Sequence, residues 1–191
     1  FSRMADCALQ SGNYSDAIQL FDEISEDEMI SDDFFKKAIA YEKNDLTQEA
    51  IKIMTTLLSK DPDFIQGYFY LQSLYENEKN YPDAIETGKE GLRLNQFYKE
   101  LMVSTGSLEI EHGDANEGVE LLKKALEVDN AYHEPLLILS DLFRQEEDYE
   151  AIISLLSYVD EEDLDPVFMW HLAHAYGEEE RDTEAQHFYE L

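Results

Sequence analysis

Apolar side chains along this chain recur every three or four residues, in runs of helical length that stop at short polar segments. Between Ile65 and Tyr98, Tyr68, Leu71 and Tyr75 share one face of a first helix, and Ile85, Leu92 and Leu94 help make a second; this is the spacing that stacks side chains on one helical face. Asn80 and Pro82 mark the break, since proline is tolerated in the opening turn of a helix, where its missing N–H would have no partner. No alternating stretch of useful length suggests a strand, so the chain is predicted to be helical almost throughout. One helix pair cannot bury its apolar faces alone, whereas stacked pairs share a continuous core.

The pattern repeats. Small residues at Ala17, Ala50, Ala84, Gly118, Ala151 and Ala185 are spaced by 33, 34, 34, 33 and 34 residues, and each follows a turn-like segment such as "SGNYSDA" or "EKNYPDA". Before each lies Ala8, Tyr41, Tyr75, Glu109, Phe143 or Tyr176, and four residues after each comes Phe21, Met54, Gly88, Leu122, Leu155 or Tyr189. Asp61-Pro62 and Asp129-Asn130 close two units at the same phase. Lys37, Thr105 and Glu109 depart from the apolar or small character of their positions.

This register resembles the tetratricopeptide repeat, whose 34-residue unit carries W-x2-L-G-x2-Y, then A-x3-F, then P. The resemblance spans the whole chain as one array of six units, about 1–30, 31–64, 65–98, 99–132, 133–165 and 166–191. It implies an all-α fold, an α-solenoid of antiparallel helix pairs wound as a right-handed superhelix, with both end units truncated. The sequence opens at Phe1 inside a helical pattern, which reads as a segment of a longer protein. In its acidity the chain also resembles repeat proteins of Gram-positive bacteria.

Composition narrows the partners. With 44 acidic and 14 basic residues the net charge is −30, the wrong sign for nucleic acid, where affinity comes from neutralising phosphates, and for direct docking on anionic membranes. Ala125 to Leu191 holds 19 acids and two basic residues, a net of −17. Such a surface keeps the chain soluble and can attract basic partners. Cys7 is the only cysteine, so no internal disulfide forms and a cytoplasmic setting is expected. Flanked by Met4, Ala5, Ala8 and Leu9, Cys7 is expected to be a small core residue.

Three features invite a chemical reading. Thr87-Gly88-Lys89-Glu90 echoes a phosphate loop, but Asp83 stands where the first glycine belongs and Glu90 where Ser or Thr would bind magnesium; Gly88 instead predicts a close helix contact or a soft point. His171 and His174 lie three apart on one helix, the basis of a remote alternative as a metal-dependent enzyme, yet zinc needs a third ligand that does not stand nearby. Asp160–Asp165 lacks the glycine and spacing of a calcium loop and is expected to link units five and six. No cofactor is implied, and the reading is non-catalytic.

The resemblance places the first helix of each unit along a concave groove, with the fifth residue pointing into it: Ser2, Phe35, Phe69, Val103, Leu137 and Trp170. Two explanations of this apolar ladder stand open. It can belong to a broad buried stripe beside Phe34, Tyr68, Met102, Leu136 and Met169, or it can dock an extended peptide or amphipathic helix. Other groove positions are acidic, among them Asp6, Asp32, Glu42, Glu76, Glu100, Glu111, Glu134, Asp141 and Glu178, against Lys43 and Arg144. The expected partner is a protein or peptide, basic or apolar, and the expected site is Phe35, Phe69, Val103, Leu137, Trp170, Glu76, Glu111 and Asp141. The lysine, arginine and asparagine clamp with which chaperone-tail binders of this family hold a terminal carboxylate is absent, Ser2, Asp6, Phe35, Ile39, Phe69 and Ser73 taking those places. Self-association through the end repeats is the alternative function.

Overall fold

The three-and-four spacing of apolar residues becomes twelve α-helices and no strands in the computed structural model, which describes all residues from Phe1 to Leu191. The chain divides into two compact units, Phe1–Gln96 and Phe97–Leu191. The first holds the pairs α1 (Ser2–Gln10) and α2 (Tyr14–Asp22), α3 (Ser31–Lys43) and α4 (Thr47–Lys60), α5 (Ile65–Asn77) and α6 (Tyr81–Leu94). The second holds α7 (Lys99–His112) and α8 (Ala115–Val128), α9 (His133–Gln145) and α10 (Tyr149–Leu156), α11 (Pro166–Glu178) and α12 (Asp182–Glu190). Within each unit the second helix of a pair also packs on the first helix of the next; a buried core joins α1 to α5 in the first unit, and α9 to α12 with Leu126 of α8 in the second.

Five of the six turns inside the pairs are built alike. Gly12, Asp45, Lys79, Glu147 and Glu180 adopt left-handed φ values between 55° and 76°. The residue after each donates its N–H back to the carbonyl of Ala8, Tyr41, Tyr75, Phe143 or Tyr176, while the left-handed residue itself bonds one position further along. This is the Schellman arrangement, which satisfies carbonyls that a helix end leaves open. The bulky position before each small residue is thus also the carbonyl that closes the turn. The fourth pair departs from the scheme: Gly113 has φ −133°, and the N–H of Asp114 donates to the side chain of Glu109, at 2.7 Å from Oε2.

Side-chain capping fixes several helix starts. Asp114 accepts from the N–H groups of Asn116 and Glu117, Asp148 from Ala151, and Asp165 from Val167 and Phe168 just ahead of Pro166, the residue types and geometry that serve orphan N–H groups at a helix start. The opening residue of a first helix is also tied to the aspartate near the end of its unit: Ser31 to Asp61, Lys99 to Asp129 at 2.8 Å, and His133 to Asp165 at 2.6 Å. The acidic run Asp160–Asp165 forms the link between α10 and α11, with a single 3₁₀ turn at Glu161–Asp163.

The cores follow the repeat. In the first unit Ala17, Phe21, Ala38, Ala50, Met54 and Leu74 are almost wholly buried; in the second, Leu136, Ile152, Leu156, Phe168, Leu172 and Ala175 are. In the α7/α8 pair two glycines face each other: a Cβ on Gly118 would lie 2.5 Å from the carbonyl oxygen of Gly106 and 2.7 Å from Ile110 Cγ1. Gly88 and Gly91 are buried along α6, which runs unbroken through both. Lys37 and Tyr41 of α3 reach the end of α2, where Asp22 lies 2.8 Å from the ammonium and 3.0 Å from the phenol oxygen. Burial first, then the Asp22 hydrogen bond, pushes the Tyr41 pKa up to about 12.

Two expectations fail. Cys7 is exposed on α1, because Ala5 occupies the buried face. In α11 the buried apolar side chain is Phe168 while Met169 is only half-buried, one step earlier than the positions of Leu136 and Met102.

Candidate functional site

The first-helix faces of the two units differ in finish. In the first unit the fifth positions are Ser2, Phe35 and Phe69. Ser2 is spent on structure, its hydroxyl donating to buried Asp33 at 2.6 Å. Phe35 and Phe69 are half-buried. Phe35 packs edge-on against Phe64 and Tyr70, with ring centroids 5.6 and 5.1 Å apart. The Tyr70 phenol, its pKa raised by burial and then by Glu42, donates to Glu42 Oε2 at 3.5 Å. Lys36 lies 2.8 Å from Asp6 and 2.6 Å from Asp32, and these hydrogen bonds, Asp32 first, raise its pKa. Glu76 is exposed near the end of α5.

In the second unit the ladder is graded. Val103 is 1% exposed, Leu137 is half-buried and Trp170 is 49% exposed. As packed, Val103 offers no surface to a ligand, whereas Leu137 keeps part of its surface in solvent and Trp170 about half. The indole stacks on His174 at 5.3 Å with 29° between the planes and meets His171 edge-on at 5.5 Å. Asp141 lies 3.1 Å from the Arg144 guanidinium Nη2 and 3.8 Å from Nε2 of the His171 imidazole. Glu111 is exposed, 3.5 Å from His112.

His171 and His174 do not converge. His171 is buried, and its Nδ1 shares a hydrogen bond with the Ser140 hydroxyl at 3.0 Å. Its pKa is lowered, by burial first, with Asp141 opposing and Arg144 reinforcing the effect. Ser140 is fully buried and its hydroxyl lies 3.2 Å from the Leu137 carbonyl, so Ser140 and His171 form a buried pair tied to the backbone of α9, with part-exposed Asp141 at its edge. No group of three or more His, Cys, Asp or Glu stands in metal-binding proximity, and no helix is long and apolar enough to cross a membrane.

Sequence reasoning missed the aromatic partners. Tyr149, at the start of α10, brings its ring to 5.7 Å from His174, and Phe64 and Tyr70 flank Phe35; none occupies a fifth position. It also missed a cleft of about 530 Å³ between α8 and α10, floored by Leu136 and Phe143 of α9 and walled by Leu126, Leu155 and Tyr158.

Residues 34–63 match the tetratricopeptide repeat family, and paired helices of the same kind run along the rest of the chain. The chain is a tetratricopeptide-repeat protein, an all-α solenoid of helix pairs. Among its relatives, the TPR repeat-containing protein YpiA of Bacillus subtilis (strain 168) is 33% identical over 192 residues, which cover 98% of this chain and 45% of YpiA. The chain therefore spans less than half the length of that relative. A tetratricopeptide repeat protein from Parabacteroides merdae ATCC 43184 shares the fold with a TM-score of 0.72 at 17% identity, over 98% of this chain and 75% of that one. MamA from Desulfovibrio magneticus RS-1 does so with a TM-score of 0.60 at 12% identity, over 98% and 88%.

Proposed function

We propose that the chain holds a basic or apolar peptide segment of a partner protein against the faces of its first helices. Phe35 and Phe69 serve as apolar anchors in the first unit, Leu137 and Trp170 in the second. The observation that carries this reading is Trp170, left 49% exposed at a ladder position whose counterparts Phe35, Phe69, Val103 and Leu137 are apolar. A half-exposed indole keeps apolar surface in water that burial would remove, and aromatic anchors of this kind commonly dominate interface energies. Exposed Glu76 and Glu111 and half-exposed Asp141 steer a basic partner toward the faces and disfavour acidic ones. Val103, buried beneath, supports the face rather than touching the ligand.

The test begins with peptides selected from a random display library on the wild-type protein, their affinities then measured on Phe69→Asp and Leu137→Asp. Each substitution places a charge on an anchor and is expected to weaken binding by about ten-fold or more, with helical content and melting cooperativity retained. Affinities unchanged in both folded variants would refute the reading.

A further inference from the structure

Helix for helix, the fourth residue of α10 is Ile152, where α2, α4, α6, α8 and α12 carry Ala17, Ala50, Ala84, Gly118 and Ala185. The left-handed Glu147 precedes Ile152 by five residues, as Asp45 precedes Ala50, so Ala151 stands one place ahead of the small-residue position. Ile152 is 1% exposed and needs room that alanine does not. Accordingly α10 packs less extensively on α9 than the other second helices do on their partners, and it ends after 8 residues where α8 runs for 14. The space left between α8, α9 and α10 is the cleft of about 530 Å³. One wall is the stripe Lys123, Leu126, Glu127 and Asn130; the other is Ala151, Ser154, Leu155 and Tyr158. Both run at i, i+3, i+4 and i+7, about two helical turns. The Asn130 side-chain amide donates to the Tyr158 carbonyl at 3.1 Å, which ties the two stripes together at their last residues.

We propose that this cleft is a second binding site, which takes the alkyl chain of an uncharged single-chain amphiphile. It lies on second helices and does not depend on the peptide-binding reading above. Its volume falls in the range of small-ligand pockets, about 300–1,000 Å³, which are mostly apolar with a few polar groups. Leu126, Leu136, Phe143 and Leu155 supply the hydrocarbon lining. The charged lining residues are Lys123 and Glu127, opposite in sign and one helical turn apart, so the rim offers a donor and an acceptor without net charge. A hydroxyl head group uses both. A carboxylate head instead meets the field of a unit with 25 acidic and five basic residues, net −20. A partner helix laid along the stripes would have to pass the Asn130–Tyr158 bridge, whereas a flexible chain can end at it.

Isothermal titration calorimetry of the whole chain with straight-chain alcohols from butan-1-ol to decan-1-ol, beside decanoate, tests the site. Affinity is expected to rise about three- to four-fold per methylene until the chain fills the cleft, and decanol to bind about ten-fold tighter than decanoate. Ala151→Phe and Ser154→Phe each put a ring into the cleft and are expected to abolish binding, with helical content and melting cooperativity retained. Ser154 is exposed, so its replacement leaves the core intact. No binding of any alcohol, equal affinity for decanoate, or unchanged binding in folded Ser154→Phe would each overturn the proposal. Self-association that Ser154→Phe removes in sedimentation, or a selected peptide that protects α8 and α10 from exchange, would give the cleft to a protein and overturn it as well.

Discussion

The backbone N–H of Asp114 donates to the buried carboxylate of Glu109 at 2.7 Å, where every other pair uses the backbone carbonyl at the equivalent position. The substitution that looks most out of place in the repeat is therefore a turn closure made by a side chain. Replacing Glu109 with leucine leaves a part-buried N–H without its acceptor, at a cost of about 1–3 kcal/mol. Glutamine keeps an acceptor oxygen and recovers most of that loss. Urea unfolding of the two variants checks this; equal stability of Glu109→Leu and wild type would contradict it.

The contact between Gly106 and Gly118 predicts an inverted propensity effect. Alanine favours a helix interior over glycine by about 1 kcal/mol, yet a Cβ at Gly118 meets backbone oxygen at 2.5 Å. Backbone cannot yield as a side-chain tip can, so Gly118→Ala destabilises by about 1–3 kcal/mol through overpacking. A raised melting temperature for this variant would show that the two helices can separate without loss.

Left-handed φ values at Lys79 and Glu147, 58° at both, predict the opposite response. A side chain in that conformation costs about 1–2 kcal/mol, and glycine removes the cost while losing part of the gain to unfolded-state entropy. Lys79→Gly and Glu147→Gly are each expected to stabilise by roughly 0.5 kcal/mol. Differential scanning calorimetry of the double variant gives the sign.

His171 makes stability depend on mildly acidic pH. Burial lowers its pKa below the ordinary 6.5, so between the folded pKa and 6.5 the unfolded chain binds more protons than the folded one. Stability from this group is present above pH 6.5 and is lost as pH falls through that window. Asp129 and Asp165, whose pKa values are lowered from 3.8, lose their contributions only at more acidic pH. Melting temperatures from pH 7 to 5.5 should fall more steeply for wild type than for His171→Gln; parallel curves would remove His171 as the cause.

The helix pairs were legible in the sequence because small and bulky residues return at one phase, and the three-and-four apolar spacing that builds a helix face depends on local order alone. What escaped depends on neighbours far apart in the chain. Nothing local distinguishes Lys79 or Glu180 as left-handed, since neither is glycine or asparagine. The fifth positions were identifiable as one series, but whether each is buried, as Val103 is, or open, as Trp170 is, depends on how adjacent helices crowd it. Lys37 looked like a defect until Asp22, fifteen residues earlier, came within 2.8 Å. Ser140 and His171 are 31 residues apart, so their hydrogen bond leaves no short-range signature, and Tyr149 meets His174 only through the packing of α10 on α11.

The central claim is that partners bind on the faces of the first helices, and hydrogen–deuterium exchange with a selected peptide at saturation tests it most directly. The account predicts slowed exchange in α3 and α5 and in α9 and α11, strongest around Phe69 and Trp170, with α4 and α10 unchanged. Protection confined to α8 and α10, around the cleft lined by Leu126 and Tyr158, would contradict it.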